Sequence, residues 1–186
     1  MNAEIKIIPK TELVGIRKRM SFDQNTTKKL WNSFMPEIQR IPNKKYRLLF
    51  SVELYDPGFF SSFNPSSILT QWAAVEVLNR GVSPDGMESL TIPEGRYAVF
   101  QYMGHPANAA PFYKKIFTQW LPSSNHILDN RPHLAIMGEN YKNNHPDSEE
   151  QIWIPVKERE IWNVLTNDQS KSLLICKIYR KITLIS

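Results

Sequence analysis

The same order of predicted elements occurs twice along the chain, and this duplication constrains the fold more than any other feature of the sequence. An apolar stripe with i, i+1, i+4, i+5 and i+8 spacing, which places side chains on one face of a helix, appears in each half. The stripes are Leu30, Trp31, Phe34, Met35 and Ile38, then Phe112, Tyr113, Ile116, Phe117, Trp120 and Leu121. Two strand-like segments follow each helix, and the last of them begins at Trp72 or Trp153. The pattern predicts an α+β fold of two β-α-β-β halves, with both helices on one side of a sheet and a pocket where the halves meet.

The individual elements follow from periodicity and from turn residues. We expect the first helix to begin at Asn25 or Thr26 and to end near Pro36, and the second to run from about Asn108 to Pro122. The segment between the halves, 80–94, is rich in glycine and proline and is interpreted as turns. Strands are expected at 5–19 (interrupted near Thr11), 46–55, 71–79, 96–103, 133–137 and 150–156.

Composition excludes several classes of protein. The length of 186 residues and the hydrophobic content of 41% fit one globular domain, and the net charge of +5 is spread along the chain rather than gathered in a basic stripe, so we expect no direct contact with nucleic acid. There is no apolar run long enough to span a membrane and no signal peptide. The single cysteine, Cys176, cannot form an internal disulfide, which favours a reducing compartment. A cytoplasmic protein is the expectation.

Signals for catalysis and for cofactors are weak. The four histidines show no spacing typical of a metal site, and phosphate-binding and nucleophile motifs do not occur, so we expect no metal, no cofactor and no catalytic residue of a familiar class. The adjacent pair Glu149 and Glu150 could raise one another's pKa. Because neighbouring residues of a strand point to opposite faces, we interpret them as solvated.

One strand carries a candidate binding site. Trp72, Ala74 and Glu76 project from one face of the strand and Ala73 and Val75 from the other. An aromatic ring beside a carboxylate suits a flat or cationic ligand. The alternative is a half-exposed tryptophan beside a surface glutamate.

Two further aromatic residues extend this candidate site. Trp153 repeats the tryptophan of the first half, and Tyr97 is the aromatic residue of strand 96–103 that we favour for the cleft. Periodicity alone leaves the face of that strand open.

Several segments resemble a known family. GRYAVFQYMG, the helix ending in FTQWLP, and RPHLAIMGENYKNNHPDSEEQIWIPVK are similar to the GyrI-like small-molecule-binding domain, also called the AraC-type effector-binding domain. LWNSFMP and QWAAVEV resemble stand-alone members of that family, and the likeness covers about Glu4 to Lys157.

The resemblance implies an antiparallel sheet made of two pseudo-symmetric halves, about 1–80 and 95–157, with the helices on one face and a ligand cleft on the other. It also implies cationic, aromatic, drug-like ligands. In transcription regulators that sense many drugs, this domain follows a DNA-binding domain. Here the likeness starts almost at Met1, so we expect a stand-alone domain at 1–157 followed by a tail at 158–186.

One position departs from the family pattern. The strand that the family writes as H-F-E-V-L-G aligns here with HLAIMG, so Ala135 replaces the acidic residue that meets a ligand cation. The resemblance then leaves Glu76 or Glu139 to supply the charge, or implies a less cationic ligand.

The sequence therefore favours a non-enzymatic binder of small hydrophobic, planar or cationic molecules, acting as a sensor or a sequestering protein. Trp72, Tyr97 and Trp153 are the expected aromatic walls, and Glu76 is the expected counter-charge. One alternative is a hydrolase of electrophilic small molecules, and another is a module that binds a regulator or a topoisomerase. The tail is expected to be dispensable for the pocket and to affect solubility or association, including a homodimer.

Overall fold

The computed structural model of the chain describes residues 1–62, 64–143 and 145–159. Most of the tail, including Cys176, lies outside the described residues, so the expectations for it stay predictions. None of the helices in the described part has the length and apolar character needed to span a membrane.

Nine antiparallel strands form from the described residues. In chain order they are β1 (Glu4–Ile8), β2 (Thr11–Met20), β3 (Lys44–Leu54), β4 (Leu69–Val77), β5 (Glu88–Ile92), β6 (Gly95–Met103), β7 (His126–Leu128), β8 (His133–Met137) and β9 (Glu149–Glu158). The order across the sheet is β1-β6-β9-β8-β3-β4-β2-β5, and β7 pairs with β9 off this path. The predicted antiparallel sheet is confirmed.

The sheet curls until its two ends approach each other. Strands β1 and β2 lie near opposite ends of the order but are joined only by Pro9 and Lys10. Strands β5 and β6 likewise are joined only by Pro93 and Glu94. Because two residues span less than about 10 Å, the ends must meet, and the sheet encloses an interior.

Two helices cover the outside of this curled sheet. Helix α1 (Thr27–Phe34) continues into the 3₁₀ turn Met35–Arg40. Helix α2 (Ala110–Lys115) follows the 3₁₀ turn Pro106–Asn108 and continues through a π-helical segment, Ile116–Trp120, into a last turn, Leu121–Ser123. We call 110–123 the second helix. Helix α1 ends at Phe34, near Pro36 as predicted, and Pro36 lies in the first turn of the 3₁₀ segment, where proline fits.

Cross-strand pairing separates the two faces of the sheet. One row of paired residues lies under the helices, and we call its side the helix face; the neighbouring row points into the curl, and we call its side the inner face. The helix-face row is Ala73, Ser51, Ala135, Ile152 and Phe100. The inner-face row is Trp72, Val52, Leu134, Trp153 and Val99.

Three apolar clusters follow from this division. Helix α1 packs Leu30 and Phe34 on β2 and β4, and the second helix packs Ile116 and Phe117 on β6 and β9. The third cluster fills the curl itself and includes Leu13. Both helices thus lie on one face, as the paired stripes predict.

Two strands were not predicted from the sequence. The segment interpreted as turns contains β5, whose Leu90 and Ile92 pack into the cluster inside the curl. The short strand β7 pairs with the end of β9. The break in the first extended segment falls at Pro9 rather than at Thr11, since proline lacks the N–H that a ladder requires.

Candidate ligand-binding site

A groove lies on the helix face between the two helices. Its floor is formed by the small side chains of Ser51 and Ala135, which are paired across β3 and β8 in the middle of the sheet. Both residues are only partly buried, although they lie at the centre of a sheet with helices on this face. These two small side chains lie between the helices that pack to either side, and we call this part of the helix face the helix-side groove.

Two carboxylates flank Ala135 in this groove. Glu53 lies two residues after Ser51 on β3, and Glu150 lies two residues before Ile152 on β9, so both project from the helix face. Burial raises the pKa of both, and for Glu150 burial and the nearby charge of Glu53 raise the pKa to about 6. Among the described residues, no lysine or arginine contributes to either pKa.

Tyrosines surround these carboxylates. The Tyr55 hydroxyl donates a hydrogen bond to Glu53 and lowers the pKa of that carboxyl against the effect of burial. Tyr113, on the second helix, has its pKa raised well above the ordinary value by burial and by the charges of Glu53 and Glu150. Tyr141 has its pKa raised by burial and by Glu150. The hydroxyls of Tyr113 and Tyr141 therefore stay protonated at neutral pH and can donate hydrogen bonds.

Aromatic rings pack at one end of the groove. The ring of Phe60 is stacked on His133, with centroids 5.3 Å apart and planes 7° from parallel, and it lies 5.7 Å from Phe117, which is itself 6.0 Å from His133. Tyr55 meets His133 edge-on at 4.9 Å. Burial lowers the pKa of His133 to about 3, so its imidazole is neutral and adds an aromatic face without a positive charge.

A cavity of about 470 Å³ opens beside these rings. It lies between the loop 56–61, the end of the second helix and residues 126–133. Tyr55, Phe60, Phe117 and His133 line its inner wall. Glu53 and Glu150 are not among its lining residues, and Tyr55, which bonds to Glu53, connects the cavity to the carboxylates. The opposite wall carries charges of both signs, from Asp129, Arg131 and Lys157 among others.

Two residues predicted as aromatic walls are core residues instead. Tyr97 lies on the inner face, as expected, but it is 0% exposed, and its hydroxyl donates to the Pro132 carbonyl at 3.0 Å. Trp72 is 3% exposed in the same cluster. The curl of the sheet brings distant strands over both rings, so neither offers a surface to a ligand. Strand parity could not predict this burial, because the alternation of side chains along a strand is the same in a flat sheet and in a curled one.

The remaining predicted residues are divided between the two faces. Ala135 lies on the helix face, away from Trp72, at the floor of the helix-side groove. Glu76, Glu139 and Trp153 line a second cavity, of about 560 Å³, on the side opposite the helices. A cleft on that side was predicted, and the structure has one. It contains none of the groove's aromatic rings.

Sequence reasoning missed Glu53, Glu150 and Tyr113 as site residues. The interpretation of Glu150 as a solvated carboxylate is wrong, because burial raises its pKa. Strand parity places Glu53 on the same face as Ser51 and Tyr55. The sequence does not reveal the register that pairs Ser51 with Ala135, because these residues are 84 positions apart in the chain.

No group of three or more histidine, cysteine, aspartate or glutamate side chains in the described ranges is arranged to hold a metal ion.

The chain belongs to the family of the GyrI-like small molecule binding domain, whose model matches residues 1–157. The predicted family is thereby confirmed. A search of curated proteins found no match.

Solved structures share the fold. SAV2435 bound to tetraphenylphosphonium is 14% identical, with a TM-score of 0.65 over 84% of this chain and 94% of that one. The EcmrR C-terminal domain is 16% identical, with a TM-score of 0.61 over 85% of this chain and 98% of that one. A hydrolase from Listeria innocua is 13% identical, with a TM-score of 0.51 over 84% of this chain and 92% of that one.

Proposed function

We propose that this protein binds organic cations with aromatic or apolar bodies in the helix-side groove, as a sensor or a sequestering protein. The observation that carries the proposal is the pair Glu53 and Glu150, two carboxyls on the same face whose pKa values burial raises and of which Glu150 also feels the charge of Glu53. The similarity to a structure that holds tetraphenylphosphonium supports this class of ligand.

The energetics favour a cation in this place. Removing a carboxylate from water is costly unless it is paired, and two carboxylates close together also repel. A lipophilic cation supplies the missing opposite charge, while its apolar body contacts the rings of Tyr55, Phe60 and Phe117. Cation–π attraction adds to the Coulomb term in a partly desolvated site.

The substitution at Ala135 also has a physical interpretation within this proposal. The family acid on this strand is absent, but Glu53 and Glu150 approach the same floor from the strands on either side. The site thus keeps its negative charge and gains room at its centre. We therefore expect bulky cations to be accepted, and Glu76 and Glu139 are not needed as counter-charges in the groove.

Calorimetric titration with a matched pair of ions tests the proposal. Tetraphenylphosphonium and tetraphenylborate have nearly the same shape and opposite charge, so only the first should bind measurably to the groove. Glu150→Gln should weaken tetraphenylphosphonium binding by about 10- to 100-fold, the range of a lost charge interaction of roughly 1–3 kcal/mol. Glu94→Gln is the control, because Glu94 is exposed between β5 and β6 and its loss changes the net charge equally.

Three results would count against the proposal. One is equal binding of the two ions, and another is an equal loss of affinity in Glu150→Gln and Glu94→Gln. The third is wild-type affinity in a Glu150→Gln protein that remains folded.

A second candidate function is hydrolysis of an electrophilic small molecule. The Tyr55 hydroxyl bonded to Glu53 is an acid and a base in contact, which such chemistry requires, and one structural relative is described as a hydrolase. Mass spectrometry after incubation with an aryl epoxide separates this function from simple binding. Diol that forms with the wild type and not with Glu53→Gln supports hydrolysis, whereas binding without product supports the first function.

A further inference from the structure

One buried histidine beside the groove has hydrogen-bonding groups that no described residue uses. His133 is 4% exposed, and its imidazole makes no hydrogen bond to any side chain or backbone group in the described part of the chain. Burial alone shifts its pKa, without a contribution from a hydrogen bond or a neighbouring charge. A neutral imidazole carries one N–H donor and one nitrogen acceptor. Because buried polar side chains nearly always have a partner, the unpaired imidazole points to a ligand.

His133 lies where the cavity meets the carboxylates. It lines the cavity of about 470 Å³, and it pairs directly with Glu53 across β8 and β3. Directly paired residues of antiparallel strands project from the same face, with Cβ atoms about 5 Å apart. The imidazole and the Glu53 carboxyl are therefore neighbours on the helix face, and one small ligand can reach both.

Aromatic rings hold the imidazole in this position. Phe60 and Phe117 are stacked with it at centroid distances of 5.3 and 6.0 Å, and Tyr55 meets it edge-on at 4.9 Å. Of these three residues only Tyr55 has a polar group, and its hydroxyl donates to Glu53. A ligand in the cavity thus meets a fixed hydrogen-bonding group within an aromatic wall.

We propose that His133 selects ligands whose aromatic body carries a hydroxyl group, which donates to the imidazole while the cationic end lies at Glu53 and Glu150. The inference rests on the proposed function, because the same carboxylates and rings hold the ligand. It adds a polar requirement that tetraphenylphosphonium does not meet. The preferred class is a hydroxyaryl ammonium ion in which one benzene ring separates the hydroxyl from the charge, because Glu53 and His133 are directly paired.

Three ligands of similar size test the hydroxyl and the charge separately by calorimetric titration of the full chain at pH 7. They are 3-hydroxyphenyltrimethylammonium, 3-methylphenyltrimethylammonium, which lacks the hydroxyl, and 3-tert-butylphenol, which lacks the charge. The wild type should bind the hydroxylated cation about tenfold more tightly than the methylated cation, because the latter leaves the imidazole unpaired.

Replacement of the imidazole by a ring without hydrogen-bonding groups should abolish this preference. His133→Phe should bring the two cations to within about twofold of each other, since neither can then gain a hydrogen bond. His126→Phe is the matched control, because His126 lines the same cavity and is also stacked on a ring, that of Trp120, but is only partly buried. The preference for the hydroxylated cation should remain in this control.

The imidazole nitrogens give a readout that a purely structural role of His133 would not move. In protein with ¹⁵N-labelled histidine, the His133 signals, assigned with His133→Phe, should shift with the hydroxylated cation and much less with the methylated one. The tautomer and the hydrogen bond of an imidazole determine these shifts. If His133→Phe fails to fold, the signals are assigned instead by their perturbation in Phe60→Ala, and the titration of the wild type decides.

Equal binding of the two cations by the wild type overturns the inference, as would follow if a water molecule already satisfied the imidazole. A preference that persists in a folded His133→Phe protein overturns it too, and so do His133 signals that respond equally to both cations. If 3-tert-butylphenol binds as tightly as the hydroxylated cation, the role of the carboxylates and hence the proposed function fails. That result leaves the comparison of the two cations intact, so the two failures are distinguishable.

Discussion

The two faces of the sheet treat neighbouring carboxylates differently. Glu149 and Glu150 are adjacent on β9 and both line the second cavity, yet Glu149 bonds to Asn140, whereas the pKa of Glu150 is raised by burial and by the charge of Glu53. Glu76 and Glu149 thus have polar partners. The groove carboxylates are held among aromatic rings, and their pKa values rise.

The position of a carboxylate in the sequence therefore does not decide whether its charge is available to a ligand. Glu76 lies on the strand of the candidate tryptophan, but Lys45 already neutralises it. Burial raises the pKa of Glu53 and of Glu150, so their surroundings disfavour the charged form of each carboxyl. Because the helix face disfavours the charged form of its own carboxyls, a lipophilic cation should gain the most binding free energy on that face.

The largest effect should come from removing both groove carboxylates. The double variant Glu53→Gln/Glu150→Gln is expected to weaken tetraphenylphosphonium by more than about 100-fold, because the two losses of roughly 1–3 kcal/mol each combine. Calorimetry measures the affinity, and Glu76→Gln/Glu139→Gln is the matched double variant on the opposite face. If both doubles lose the same affinity, the distinction between the faces fails.

The next largest effect is on stability, which Glu150→Gln should raise although the same substitution weakens binding. The pKa of Glu150 is raised from 4.5 to about 6 in the folded protein, so protonation stabilises the fold. This stabilisation is complete below the unfolded pKa and is lost as the pH rises through the folded one. At pH 7.5 Glu150→Gln should therefore be more stable than the wild type by on the order of 2 kcal/mol.

Urea unfolding of the free protein at pH 7.5 measures this gain, with Glu94→Gln as the control. The difference between Glu150→Gln and wild type should shrink toward pH 4.5. A Glu150→Gln protein that is less stable than wild type at pH 7.5 would show that the carboxylate is well solvated, contrary to our account.

The affinity for a cation should follow the same titration. Between pH 7.5 and pH 5, tetraphenylphosphonium should bind about tenfold more weakly, because Glu150, with a pKa of about 6, becomes mostly protonated. In Glu150→Gln the change over this range should be much smaller. Equal pH dependence in the two proteins would assign the effect to another group.

The smallest effect is expected for an aromatic side chain. Phe60→Ala removes the ring that packs against both His133 and Phe117 and should weaken tetraphenylphosphonium about fivefold, as the loss of one aromatic contact of about 1 kcal/mol implies. The pH dependence of binding should stay that of the wild type. A changed pH dependence would mean that Phe60 also governs the burial of the carboxylates.

Much of the fold could be predicted from the sequence because its signals are local. The stripes that include Leu30 and Ile116 fix which helix faces are buried, and strand parity separates Ala73 from Trp72. Strand β8 has the predicted bounds, His133–Met137. Strand β5 was not predicted, because the glycine and proline residues that precede it are typical of turns.

The site was harder to predict because it depends on contacts that are not local. Trp72 and Tyr97 are buried because the sheet curls closed through the connections at Pro9 and Pro93. The hydrophobic periodicity of the sequence gives no information on this closure. The approach of Glu53 to Glu150 depends on the register of three strands. Sequence alone placed a carboxylate, Glu76, beside a tryptophan on the inner face, whereas the groove that we propose lies on the helix face.

A structure of the complex with tetraphenylphosphonium tests the central claim most directly. The account predicts the phosphonium on the helix face, with its phenyl rings against Tyr55, Phe60 or Phe117 and its centre within about 6 Å of a groove ring. The carboxylates of Glu53 and Glu150 should be the nearest negative charges. A phosphonium found instead on the inner face, beside Glu76 and Trp153, would contradict the assignment of the groove as the ligand site.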